Sequence, residues 1–126
     1  MKTSLFNDTI ENIRAAADII RDGGLVAFPT ETVYGLGADA LNSEAVSKVY
    51  AAKGRPSDNP MIVHIAETSE LAKLTGDISS DMRALMEAFW PGPMTMIVRR
   101  KDIVPDVTTG GLDTVGVRLP SSEVAR

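Results

Sequence analysis

A layered α/β domain is what this sequence predicts, on three observations. Stretches with apolar residues at helical spacing alternate along the chain with short, all-apolar runs of strand length. Most boundaries between the two carry Gly, Pro or both. A length of 126 residues, 44% hydrophobic and 24% charged, suits one ordinary globular domain over 1–126, large enough to enclose a core. The alternation alone leaves open whether the sheet is parallel or mixed.

Residues 8–22 read as a helix: Ile10, Ile13, Ala17 and Ile20 recur at its period, Asn7 or Asp8 is placed to cap it, and Gly23-Gly24 ends it. Leu25-Val26-Ala27-Phe28 reads as a central strand covered on both faces, stopped by Pro29. Ser43 is placed to cap a helix over 44–53, with Val46, Val49 and Tyr50 inward. A second buried strand is expected over 61–66, a short helix over 69–74, and a longer helix over 80–89 with Met82, Leu85, Met86 and Phe89 on one stripe. Trp90-Pro91-Gly92-Pro93 breaks that helix, and Trp90 reads as a core plug. A third strand over 94–100 and a fourth over 115–119 flank a loop hinged at Gly110-Gly111. Ser121 reads as a helix cap, but five residues are too few for a helix that covers a sheet face. At least one further helix–strand unit is therefore expected beyond Arg126.

Composition excludes several chemistries. There is no cysteine, hence no disulfide, thiolate nucleophile or thiolate zinc site, and a single histidine rules out a His-cluster metal site. Magnesium delivered with phosphates is the metal that remains. A net charge of −4 provides no global field for nucleic acid, so anion binding must rest on local cations. No signal-peptide pattern and no run of transmembrane length is present, and the expected location is cytoplasmic.

Two polar loops at strand ends look like one site. In Lys53-Gly54-Arg55-Pro56-Ser57-Asp58-Asn59-Pro60, an extended backbone would aim Lys53 and Arg55 at one spot, a point charge beside a bidentate fork, with Asn59 adding an amide. The alternative is a helix C-terminus ended by Gly54, with Arg55 in water. In Thr30-Glu31-Thr32-Val33-Tyr34, an extended backbone sets Thr30, Thr32 and Tyr34 on one face and Glu31 on the other; the alternative is a hydroxyl-rich turn that satisfies its own backbone. Gly35 and Gly37 permit a close ligand approach, although the Gly-Leu-Gly lacks the third glycine of a dinucleotide fingerprint. His64 reads either as a core histidine or as a site residue. Arg118, inside the apolar Val115–Leu119 run, needs a carboxylate or a ligand anion as partner.

Together, P-T-E-T-V-Y-G-L-G, K-G-R-P-S-D-N-P-M-I-V-H-I, W-P-G-P-M-T and V-G-V-R-L-P closely resemble the YrdC-like threonylcarbamoyl-AMP synthases, in family order and over nearly the whole chain. The resemblance implies a twisted, open mixed sheet with flanking helices and a large concave face. It implies synthesis of threonylcarbamoyl-AMP from L-threonine, bicarbonate and ATP with release of pyrophosphate, magnesium arriving with ATP. The product would serve t6A modification of tRNA through downstream threonylcarbamoyl-transferring machinery. Carried over by position, Lys53 and Arg55 match the triphosphate-binding, catalytic pair, Asn59 and Thr114 further ATP contacts, Thr30, Thr32 and His64 the threonine pocket, and Arg118 the cation on the threonine carboxylate. The family pattern runs on to a Ser-x-Asn motif past the last strand, so the activity is expected of a polypeptide that carries that part.

Three rival readings differ in class. A double-stranded RNA or tRNA-binding module without catalysis would want a Lys/Arg stripe or aromatic platform, which the acidic chain lacks. A carbamoyl-transferring module of the hydrogenase-maturation type would come with Cys-rich zinc segments. A catalytically silent paralogue would not be expected to keep Lys53, Arg55 and Arg118 together.

Overall fold

The computed structural model describes residues 2–126. Helix α1 (Ile10–Arg21) is capped by Thr9, whose side chain accepts from the Asn12 N–H, rather than by Asn7 or Asp8. It closes where the Gly23 and Gly24 amides bond back to the Ile20 and Ile19 carbonyls. Strand β1 (Val26–Phe28) follows and pairs antiparallel with β2 (Gly35–Gly37) in a two-stranded sheet of its own. The expected central strand is thus a short one at an edge, and Ala27 is exposed. The sequence reading assigned no strand at 35–37, because Gly is depleted in strands. Here Gly37 leaves room for the Phe28 ring: a Cβ on it would lie 2.5 Å from a ring carbon.

Helix α2 (Ser43–Lys53) is capped by Asn42, whose side chain accepts from the Glu44 and Ala45 amides. Ser43 is its first residue, not its cap. Ala45, Val46, Val49 and Tyr50 are buried, three of them as expected. The helix ends at Gly54, whose φ of 63° is the left-handed conformation that glycine adopts without strain. The extended reading of Lys53–Arg55 is therefore overturned, and the Arg55 amide closes the turn on the Tyr50 carbonyl.

The second sheet has the order β3-β5-β4, with β3 (Ile62–His64) parallel to β5 (Thr114–Arg118) and β4 (Met96–Arg99) antiparallel to it. The sheet is mixed. The expected buried strand over 61–66 is a three-residue edge strand, with Val63 buried and Ile62 45% exposed. A 3₁₀ turn (Thr68–Glu70) leads into α3 (Leu71–Leu74), and α4 (Ser80–Phe89), capped by Ser79, has the bounds expected of it. Met86 from its stripe is buried, whereas Leu85 and Phe89 are exposed. The hinged loop carries a single turn, α5 (Asp106–Thr109), whose Thr108 and Thr109 are fully buried. Past β5, Ser121 caps no helix: the Ser122 hydroxyl accepts from the Ala125 amide in a terminal turn.

The core lies on one face of the three-stranded sheet. Val63, Met96, Val98, Val115 and Val117 pack with Leu71, Leu74, Met86, Val104 and Trp90, and the Trp90 Nε1–H donates to the Met94 carbonyl at 2.8 Å. Trp90 is the expected core plug. No helix among the described residues is long and apolar enough to cross a membrane.

Candidate functional site

Strand alternation sends Val115 and Val117 into the core, so Thr114, Gly116 and Arg118 stand on the opposite face of β5. On that face β3 contributes Ile62 and His64, and β4 contributes Ile97, 61% exposed, and Arg99. The register sets His64 beside Arg118 and Arg99 beside Thr114. Three residues expected in the site therefore share an open face, with His64 and Arg118 at the carboxyl ends of the two parallel strands. Ligands of open α/β sheets settle at such ends.

Arg118 has no carboxylate partner among the described residues. Its Nε and Nη2 donate to the Thr95 hydroxyl at 3.1 and 2.8 Å, one residue past the last β4–β5 pair. A guanidinium carries five N–H donors in a planar fork. Here a half-buried cation is held in place by one neutral oxygen, with donors left over for an anion.

His64 is half-buried under the edge of the Phe28 ring, centroids 6.2 Å apart at 71°. Burial, followed by the neighbouring Arg118 charge, pushes its pKa below 6.5, with Glu31 opposing. The ring is neutral at neutral pH. Its Nδ1 is buried without a hydrogen-bond partner, and so is Glu31 Oε1.

The segment after Phe28 passes across these strand ends. Thr30 Oγ1 donates to the Val33 carbonyl at 2.6 Å, accepts from the Thr32 amide at 3.2 Å, and lies 3.2 Å from the Thr32 hydroxyl. With the Thr30 proton already given, the Thr32 hydroxyl is the donor of that pair. Thr30 is saturated, and Thr32 keeps both lone pairs for a ligand. Here the self-satisfying turn replaces the extended reading, and Tyr34 points away at 77% exposure. Glu31 Oε2 accepts from the Ser121 amide at 2.8 Å, its hydroxyl at 3.1 Å and the Ser122 amide at 3.2 Å. Burial alone would raise the Glu31 pKa, but these bonds together hold it below the ordinary 4.5.

Lys53, Arg55 and Asn59 lie at the other end of β3. The loop they occupy leads into the strand where the Met61 amide bonds the Thr108 carbonyl. Lys53 is exposed, and the Arg55 guanidinium rests 5.9 Å from the Tyr50 ring centroid. The Tyr50 hydroxyl lies within bonding distance of both the Asn59 and Val107 carbonyls, tying the loop to α5. From Ile62, at the start of β3, to His64 is about 7 Å along the strand. Among the described residues no hydrogen bond or ion pair joins Lys53 or Arg55 to the His64–Arg118 group, and Thr114 stands at the amino end of β5.

The sequence profile of the Sua5/YciO/YrdC family, described as telomere recombination, matches residues 18–126. This chain belongs to that family. Among curated Sua5/YciO/YrdC relatives, the threonylcarbamoyl-AMP synthase of Pyrococcus abyssi is 55% identical over 113 residues, covering 90% of this chain and 33% of the relative. That of Bacillus subtilis is 53% identical, again over 90% of this chain and 33% of the relative. A crystal structure of P. abyssi Sua5 complexed with L-threonine is 51% identical, with a TM-score of 0.90 over 97% of this chain and 35% of that one. The chain thus spans about a third of the length of these relatives. The α/β fold with a mixed sheet and flanking helices is shared across the family.

Three residues of this candidate site carry no site role in the sequence reading: Thr95, Glu31 and Ser121. Thr95 lies in the quoted W-P-G-P-M-T block, and the antiparallel register places it opposite Arg118. An extended loop would set Glu31 on the far face, whereas the turn brings it to Ser121 and Ser122. Ser121, read as a helix cap, joins Ser122 in holding Glu31. For Glu31 and Ser121 the chain carries no local signal, since the contact spans ninety residues.

Proposed function

We propose that this chain carries the substrate-binding face of a threonylcarbamoyl-AMP synthase. The observation that bears most weight is Arg118, a half-buried guanidinium whose one side-chain partner among the described residues is the Thr95 hydroxyl, beside a neutral His64 and the free lone pairs of Thr32. An α-amino acid offers the carboxylate that Arg118 lacks, and a side-chain hydroxyl offers a donor to His64 or Thr32. The similarity to threonylcarbamoyl-AMP synthases and to a Sua5 complexed with L-threonine supports L-threonine as that amino acid.

In this reading Arg118 holds the threonine carboxylate, Thr32 and His64 line the side-chain pocket, and Thr30 keeps Thr32 in place. ATP enters as its magnesium complex. Lys53 and Arg55 meet its triphosphate, and Asn59 and the backbone at Thr114 meet the rest of the nucleotide. The threonine amine and bicarbonate give an N-carboxy carbamate and water. A carbamate oxygen then attacks the α-phosphorus, and its bond to the pyrophosphate oxygen breaks. Nothing covalent to the protein forms, so the residues act by positioning and charge neutralisation. The adenylate would pass to a threonylcarbamoyl-transferring enzyme acting on tRNA in the cytoplasm. The closely similar synthases favour this reading over an RNA-binding or hydrogenase-maturation module.

The test is calorimetric titration with L-threonine, L-valine and Mg-ATP, followed by a pyrophosphate-release assay with bicarbonate. Saturable threonine binding well above that of valine, and threonine-dependent release, are expected. Equal affinity for valine, or no threonine binding, would overturn the assignment.

A further inference from the structure

We propose that Glu31 is a positioning residue: its Oε1 takes the Nδ1–H of His64 and so fixes the ring tautomer whose Nε2 is a bare acceptor toward the substrate. The starting point is a pair of orphans. Glu31 Oε1 and His64 Nδ1 are the buried side-chain polar atoms left without a partner among the described residues. Leaving either so is costly, and one hydrogen bond between them would satisfy both.

The chain brings them together from two directions. Phe28, three residues before Glu31, packs its ring on His64. Ser121, three residues after Arg118, is held by Glu31 Oε2, and Arg118 is the register partner of His64. The Glu31 charge reaches the imidazole, and its effect there is opposite in sign to that of Arg118.

Which group carries the proton follows from the contacts. Oε2 accepts from two backbone amides and a hydroxyl, which is the environment of an ionised carboxylate. The shared proton is therefore on Nδ1. A neutral imidazole has one N–H, so Nε2, which is not sealed in the interior, is left as an acceptor. For the substrate this rests on the reading proposed above: an acceptor here receives the threonine hydroxyl and leaves valine without a matching group.

His64 is the only histidine of the chain, so its ring nitrogens can be read directly by ¹⁵N NMR. The wild-type protein at neutral pH should show Nδ1 protonated, against the preference of free imidazole side chains. Glu31→Gln should reverse this. The two backbone amides that meet Oε2 demand an oxygen, so the glutamine must turn its NH2 toward Nδ1, which then accepts and leaves the proton on Nε2. In that variant threonine affinity should fall about tenfold, while Mg-ATP affinity and the weak binding of valine hold.

A wild-type spectrum with Nε2 protonated overturns the proposal and needs no variant. A tautomer that ignores Glu31→Gln in a folded protein overturns it too. Tautomers as stated in a protein that does not bind threonine would uphold the role of Glu31 and refute the substrate reading instead.

Discussion

Arg118 donates to one hydroxyl where a buried cation ordinarily finds a carboxylate, and that imbalance carries the functional reading. Hydrogen bonds to charged groups contribute about 1.5–3 kcal/mol each. Arg118→Ala should therefore weaken threonine binding at least about tenfold and change Mg-ATP binding little, measured by titration calorimetry. Equal losses of both would indicate a folding role. His64 permits a second test at this scale. Its folded pKa lies below 6.5, so in the interval beneath 6.5 the unfolded chain binds more protons than the folded one. Stability should fall as pH drops through that interval and level off below the folded pKa. His64→Gln should flatten that part of the curve, followed by denaturant melts between pH 7 and 5. The Glu31 contribution begins to fall only beneath 4.5, whereas that of His64 begins to fall already beneath 6.5.

Among elements, the helices were legible and the strands less so. The bounds of α4, 80–89, were legible because apolar spacing and a Pro-Gly-Pro stop agree, and the structure adds Ser79 as its cap. The α2 cap was misplaced by one residue because Asn42 and Ser43 are both good caps and only the backbone angles choose between them. At β2, Gly35 and Gly37 carry no strand propensity yet pair with β1, and at Gly37 the Phe28 ring takes the space a Cβ would fill. Gly37→Ala should displace that ring and the His64 contact behind it. The expected cost is about 1–3 kcal/mol, seen in a chemical melt, together with weaker threonine binding. A melt like that of wild type would mean the ring relaxes freely.

Over the whole molecule, burial is uneven. The core sits between the three-stranded sheet and α3 and α4, whereas α1 has no buried residue and Ile10 is 69% exposed. Val117, fully buried on the central strand, should be sensitive: Val117→Ala removes methyl groups and leaves a cavity, costing about 2 kcal/mol. Ile10→Ser should cost less than about 0.5 kcal/mol. Similar values at the two sites, from urea melts, would mean α1 is packed as firmly as the sheet.

By itself the sequence determined the α/β class, the positions of α1 to α4 and the residues with chemical capacity, because periodicity, caps and turn residues act within a few positions of themselves; the single turn of α5 lay inside what reads as a loop. Arg118 was legible as a cation in want of a partner, since a charge inside an apolar strand is anomalous wherever the strand sits. What only the tertiary structure decided were relations between distant segments. These include the division into two sheets, the face shared by Thr114, His64 and Arg118, the hydroxyl of Thr95 opposite Arg118, and the grip of Glu31 on Ser121. Strand order and register depend on which segments meet across the fold, and no local propensity encodes that meeting.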